Sequence, residues 1–156
     1  MEYNITDIFS REGFFDMAEQ KTNVMRVLEQ QGITYTPHTY PADGPIDGVS
    51  VAGFLGQDVE QVFKTLVKKG ASGSYYVFDV PVAENLDLKK AAKAVGEKSI
   101  AMIHQKELLP LTGYVHGGCS PVGMKKQFPT VFHDTAILFD SICDSAGKIG
   151  AQAVTY

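Results

Sequence analysis

Thr65-Leu66-Val67-Lys68-Lys69, then Gly70 to Ser74, then Tyr75-Tyr76-Val77-Phe78-Asp79-Val80 is the stretch that decides the fold. The outer runs are rich in β-branched and aromatic residues, and the segment between them carries two glycines and two serines. That pattern predicts two strands joined as a hairpin. Asp87 follows, placed to cap a helix over 88–95. In that helix Leu88, Ala91, Ala92 and Val95 share the inward face, Lys89, Lys90 and Lys93 face out, and Gly96 is suited to end it.

Working outward, Val24, Val27, Leu28 and Gln31 recur at helical spacing, which predicts a helix over 21–31 ended by Gly32. Residues 33–40 alternate as a strand. Pro41 to Gly48 is a loop, 49–55 begins a short helix that Gly56 ends, and Asp58 caps a short helix carrying Val59, Val62 and Phe63. Downstream, 99–103, 130–133, 136–139 and 141–143 read as strands, and Lys106 to Leu109 as a helical turn broken by Pro110. Short strands and helices alternate without a βαβ rhythm or a repeat. The expected fold is therefore α+β: one compact domain, its sheet mixed, mostly antiparallel and partly barrel-like, with flanking helices.

The domain is assigned to 21–156 and residues 1–20 to an N-terminal extension. Ile8, Phe9, Phe14 and Phe15 in that extension fit a short docked helix. Arg11-Glu12-Gly13 can be encoded by a purine-rich run like a ribosome-binding site, so translation is expected to start at Met17.

The 156 residues are 44% apolar and 21% charged, ordinary for a globular protein. No apolar run approaches the roughly 20 residues that span a bilayer. The N-terminus lacks the basic start and apolar stretch of a secretory signal, which makes the cytoplasm the default location and a membrane no partner. Cys119 and Cys143 form no CxxC pair, and the histidines and acids show no metal-ligand spacing, so neither a metal nor a cofactor is expected. The net charge is −4, most of it in the first sixteen residues. Lysines cluster at Lys64/Lys68/Lys69, Lys89/Lys90/Lys93 and Lys125/Lys126, and such clusters hold a phosphate backbone or simply face solvent.

The most unusual stretch is Thr112-Gly113-Tyr114-Val115-His116-Gly117-Gly118-Cys119-Ser120-Pro121-Val122-Gly123. Gly117 and Gly118 leave backbone N–H groups open to a ligand, as in an anion or oxyanion site. Composition equally fits a tight turn between strands. Lys64, at a junction of elements, either enters a cleft to meet a phosphate or carbonyl or stands on the surface. A Cys119–His116 dyad lacks the third group that would orient His116, and GGCSP is not a nucleophile elbow.

Several ordered motifs together resemble one family. They are Phe63-Lys64-Thr65-Leu66-Val67, Pro81-Val82, Leu86 to Ala94, and Thr112-Gly113-Tyr114-x-x-Gly117-Gly118-x-Ser120-Pro121-x-Gly123-x-Lys125-Lys126. Lys21-Thr22-Asn23 and His38-Thr39-Tyr40 fit its opening. The family is YbaK/EbsC, related to the editing domain of bacterial prolyl-tRNA synthetases, and the likeness runs from about residue 21 to 150. It implies the editing-domain fold and a trans-editing deacylase that removes cysteine from mischarged cysteinyl-tRNA(Pro). It also implies catalytic roles for Lys64 and Gly117, with Gly118 beside it, and a pocket lined by Tyr40, with Ser120 and Pro121 in the GxxxP loop as substrate-binding residues. Its partners are aminoacylated tRNA and prolyl-tRNA synthetase. An aminoacyl ester needs little activation, so position and charge stabilisation suffice, and a cysteine thiol can attack its own carbonyl to leave as a thiolactone. The alternatives are a deacylase for another small amino acid such as alanine, and a tRNA- or synthetase-binding module without activity.

The sequence departs from the family in two places. The loop 41–49 supplies no obvious aromatic pocket residue. After Gly147-Lys148-Ile149-Gly150 only Ala151 to Tyr156 remain, where the family continues with an acidic residue, a closing strand and a helix. A truncated end is the expectation.

Overall fold

The computed structural model describes residues 21–156. The expected extension and the start at Met17 lie outside the described residues. The hairpin forms as β2 (Phe63–Gly70) and β3 (Tyr75–Pro81), antiparallel, with Lys64 opposite Val80 and Lys68 opposite Tyr76. β4 (Ile100–Met102) adds antiparallel to the free edge of β2, and β5 (Thr130–Phe132) adds parallel to β3. A second sheet has the order β1-β7-β6, all antiparallel, from β1 (Tyr35–Thr39), β7 (Ala151–Thr155) and β6 (Ile142–Ser145).

The expected α+β class is therefore found, and the expected single mixed sheet is two sheets. One bridge, Val62 to Cys143, links them, and no barrel closes. Ala151–Thr155 is the middle strand of its sheet and pairs on both edges.

Among the described residues four α-helices pack around the sheets. α1 (Asn23–Gln30) starts where the Thr22 hydroxyl accepts from the Met25 N–H, and it buries Val24, Met25 and Leu28. Each such side chain contributes about 1.5–3 kcal/mol by leaving water. They meet Val67, Val77, Tyr114 and Phe128 between the layers. α2 (Gly48–Leu55) is capped by Asp47 and α3 (Leu88–Val95) by Asp87. α3 lays Ala91 and Ala92 on Phe78, Val80 and Ile100, so β3 is buried on both faces. Leu88 was expected inward but is 43% exposed, because the contact is made by the two small alanines instead.

Two local expectations fail. α4 (Gln105–Thr112) continues through Pro110. Proline removes only one helical hydrogen bond, and the turn is held by the Glu107 carboxylate accepting from the His104 N–H and by Thr112 Oγ1 donating to the Leu108 carbonyl. Residues 136–139 form no strand, since Asp134–Leu138 is a 3-10 helix started by the His133 ring accepting from the Thr135 N–H. Its Ile137 and Leu138 lie 87% and 74% exposed, with no neighbouring strand to pair with.

Candidate active site

β2 leaves the bridge at Val62 and carries Lys64 along one wall of a cleft of about 280 Å³ between the two sheets. Tyr40, just beyond β1, lines the same cleft and is tied down by donating its N–H to the Gly150 carbonyl at 2.9 Å. His116, Gly117 and Cys119 enter from the glycine-rich loop. Asp144, Ser145 and Gln152 supply the floor from β6 and β7. Lys64, Tyr40 and Gly117, three residues singled out in the sequence, thus meet in one place.

The adjacent glycines serve different ends. Gly117 has a φ of +86°, and a Cβ there would come within 2.8 Å of Ile46 Cδ1. Its N–H has no acceptor among the described residues. Gly118 is buried, and its N–H already donates to the Val115 carbonyl. A Cβ on Gly118 would lie 2.9 Å from the Ile149 backbone nitrogen, so this glycine lets the two loops touch.

Ser120 and Pro121 are buried and line a second cavity, of about 250 Å³, behind the first. That cavity is walled by Val24, Leu28, Phe139 and Ile142, and it shares only Asp144 and Ser145 with the Lys64 cleft. Ser120 Oγ accepts from the Val122 N–H at 3.2 Å. The GxxxP loop therefore passes from one cavity to the other, and the structure does not bring its serine and proline to Lys64.

Electrostatically the cleft is two-ended. Lys64 is half-buried, and among the described residues no carboxylate lies within ion-pair distance of it. Lys68 shares its strand face, and burial, with the Lys64 charge adding to it, pushes the Lys68 ammonium down. At the floor Thr65 Oγ1 stands 3.1 Å from Asp79 Oδ1 and 3.3 Å from Asp144 Oδ1. Asp79 is fully buried and Asp144 is 8% exposed. Burial raises both carboxyls, Asp79 to about 6. Sequence reasoning missed this pair. Asp79 was nonetheless visible as the one charge in Val77-Phe78-Asp79-Val80-Pro81-Val82, a strand read as core.

Nucleophilic chemistry by the protein finds no support. Burial pushes the Cys119 thiol up to about 12 and the Cys143 thiol up to about 11, far from the thiolate form. His116 is exposed and makes no side-chain hydrogen bond among the described residues. No cluster of three or more metal-ligating side chains occurs among them either, and no helix is long and apolar enough to cross a membrane.

Comparison with known proteins adds four likenesses. Residues 47–152 match the family described as "Aminoacyl-tRNA editing domain". An Enterococcus faecalis protein named "Putative Cys-tRNA(Pro)/Cys-tRNA(Cys) deacylase EbsC" is 44% identical over 135 residues, which is 86% of this chain and 82% of that one. A proline–tRNA ligase of Fervidobacterium nodosum is 33% identical over 91 residues, 58% of this chain but only 15% of the ligase. Among solved structures, a "putative trans-editing enzyme for prolyl tRNA synthetase" superposes with a TM-score of 0.71 at 26% identity, covering 84% of this chain and 82% of that one.

Proposed function

The chain belongs to the aminoacyl-tRNA editing domain family, and we propose that it is a trans-editing deacylase that releases cysteine from mischarged cysteinyl-tRNA(Pro). One observation carries the reading: among the described residues, a Lys64 without an ion-pair partner and a Gly117 N–H without an acceptor line a single cleft that offers no activated nucleophile.

The chemistry suits that equipment. The substrate is an amino acid esterified to the terminal ribose of tRNA. Lys64 holds the anionic end of the nucleotide or the carbonyl region as a compact, mobile cation. The Gly117 N–H donates to the oxyanion that develops when the carbonyl is attacked, a contact that strengthens in the transition state. Gly118 contributes through packing, since its own N–H is engaged. Tyr40 closes one side of the pocket, while Ser120 and Pro121 shape the loop that presents Gly117.

The nucleophile is then the substrate's thiol. Its sulfur bonds to its own carbonyl carbon, the bond to the ribose oxygen breaks, the thiol proton ends on that oxygen, and cysteine leaves as a thiolactone that water opens. The enzyme contributes orientation and charge, which suffice for an already labile ester. Misacylation by prolyl-tRNA synthetase supplies the substrate, and the cytoplasm, where charged tRNA is made, is the place of action.

The test is release of amino acid from tRNA(Pro) charged with cysteine, serine or alanine. Fast release of cysteine with serine at least a hundredfold slower is expected, because a hydroxyl is a far weaker internal nucleophile. Equal rates for cysteine and serine would remove the thiolactone route. Faster release of alanine would reassign the substrate.

A further inference from the structure

Asp79 and Asp144 are the cleft's unexplained groups. A buried carboxylate ordinarily has a cation or a set of donors, because leaving water without one costs several kcal/mol. Neither has a Lys, Arg or His within ion-pair distance among the described residues. They share one donor, the Thr65 hydroxyl, which has a single proton and stands within 3.3 Å of an oxygen of each. That hydroxyl cannot serve two carboxylates at once, so the geometry requires a further proton on the pair. The cleft floor therefore holds one proton and one negative charge. Asp79 Oδ2 has no hydrogen-bond partner among the described residues.

The two acids differ in access. Asp79 is fully buried on the face of β3 turned away from α3, whereas Asp144 borders the cleft and uses Oδ1 toward Thr65. The other acid lining the cleft, Asp47, is occupied by the Ser50 N–H and hydroxyl at the start of α2. Gln152 is satisfied by reciprocal bonds with Gln57 at 2.6 and 2.9 Å. A cation entering this cleft thus finds one receptor, and it lies apart from the Lys64 ammonium that attracts anions.

We propose that Asp144 receives the protonated α-amino group of the aminoacyl ester, with Asp79 as the positioning residue that orients it through Thr65. The inference rests on the deacylase reading above and names what that reading leaves open, the recognition of the amino acid's backbone. An aminoacyl terminus is itself two-ended, with phosphates on one side of the ester and an ammonium on the other. Its anionic side faces Lys64 and its ammonium faces Asp144; burial and the Asp79 charge raise Asp144 further than Asp79, so the proton Asp144 holds beforehand passes to Asp79 as the ammonium arrives. Cys119, the remaining titratable neighbour of the pair, is a neutral thiol and does not compete. Esters lacking a free amino group are rejected, because a desolvated charge is then left unpaired.

The experiment compares cysteinyl-tRNA(Pro) with 3-mercaptopropionyl-tRNA(Pro), which keeps the thiol and the ester but lacks the amino group. Wild type is expected to favour the cysteinyl ester at least tenfold in kcat/KM. Asp144→Asn, matched in size, should raise KM for the cysteinyl ester at least tenfold and leave kcat/KM for the amino-free ester within threefold. Asp79→Asn should raise the same KM by a smaller factor and leave the amino-free ester untouched, a selectivity that a merely structural role would not produce. Equal use of both esters by wild type overturns the inference and needs no variant to fold. Equal slowing of both by Asp144→Asn overturns it too. If folded wild type cleaves neither these esters nor any other charged tRNA(Pro), the deacylase reading falls and takes the inference with it.

Discussion

The two cavities are nearly equal in volume and share a wall at Asp144 and Ser145, yet they are built from opposite materials. The front one holds, with no partner for them among the described residues, a cation, a backbone donor and an acid. The rear one is lined mainly by apolar side chains, Val24, Leu28, Phe132 and Phe139 among them, beside Asp140 and Thr155, and its buried hydroxyl, Ser120, is spent within its own turn. A single loop supplies both, with Gly117 in front and Ser120 and Pro121 behind. Residues adjacent in a motif can therefore serve different sides of one wall. The free hydrogen-bonding capacity, rather than the volume, distinguishes the side that does chemistry.

That contrast can be broken in order of expected effect. Lys64→Ala should lower kcat/KM for cysteinyl-tRNA(Pro) about a thousandfold, or about 4 kcal/mol of transition-state stabilisation, and leave the melting temperature within about 2 °C. A loss below tenfold would deprive the front cavity of its defining group.

Asp79→Asn probes the wall itself. The Asp79 carboxyl is raised in the folded chain from 3.8 to about 6. Its protonated form is the one the fold favours, so its contribution is whole below about pH 4 and is lost as pH rises through about 6. The loss amounts to about 3 kcal/mol in order of magnitude. Asn does not titrate, so the melting-temperature difference, variant minus wild type, should grow in the variant's favour between pH 4.5 and 7.5. Taking the difference cancels carboxylates with the opposite slope, such as Glu97, which the Ser72 and Tyr76 hydroxyls hold down. Parallel melting curves would mean that the pair does not share a proton.

Ser120→Ala is the smallest change. It should cost about 1 kcal/mol of stability for the lost bond to the Val122 N–H and leave kcat/KM within threefold. A hundredfold loss of activity would return Ser120 to the substrate and erase the distinction between the cavities.

What was legible in the sequence was local. The hairpin announced itself because each strand contains its own β-formers and the turn its own glycines. α3 was bounded correctly because Asp87 accepts from the Lys90 N–H and Gly96 takes a φ of +73°. Lys64, Gly117 and Tyr40 were reached through motifs and not through spacing. The rest depended on distant partners. Thr65 and Asp144 meet across 79 positions, so no window of sequence contains their contact. Residues 136–139 have the composition of a strand but no sheet edge to join. The split of the glycine-rich loop depended on which cavity each residue faces, which only packing decides.

The central place of β7 has a consequence for how the molecule comes into being. Its neighbours in the sheet, β1 and β6, have no bond to each other, and 120 positions separate Thr36 from Tyr156, whose hydroxyls meet. During synthesis the β2–β3 hairpin can close as soon as it leaves the ribosome, since its partners are sequence neighbours. β1, made earlier, must wait unpaired until residue 155 emerges. Gln152 and Ala151, which complete the cleft, arrive with that same strand. The cleft is thus completed only when β7 joins β1 and β6, in a single step.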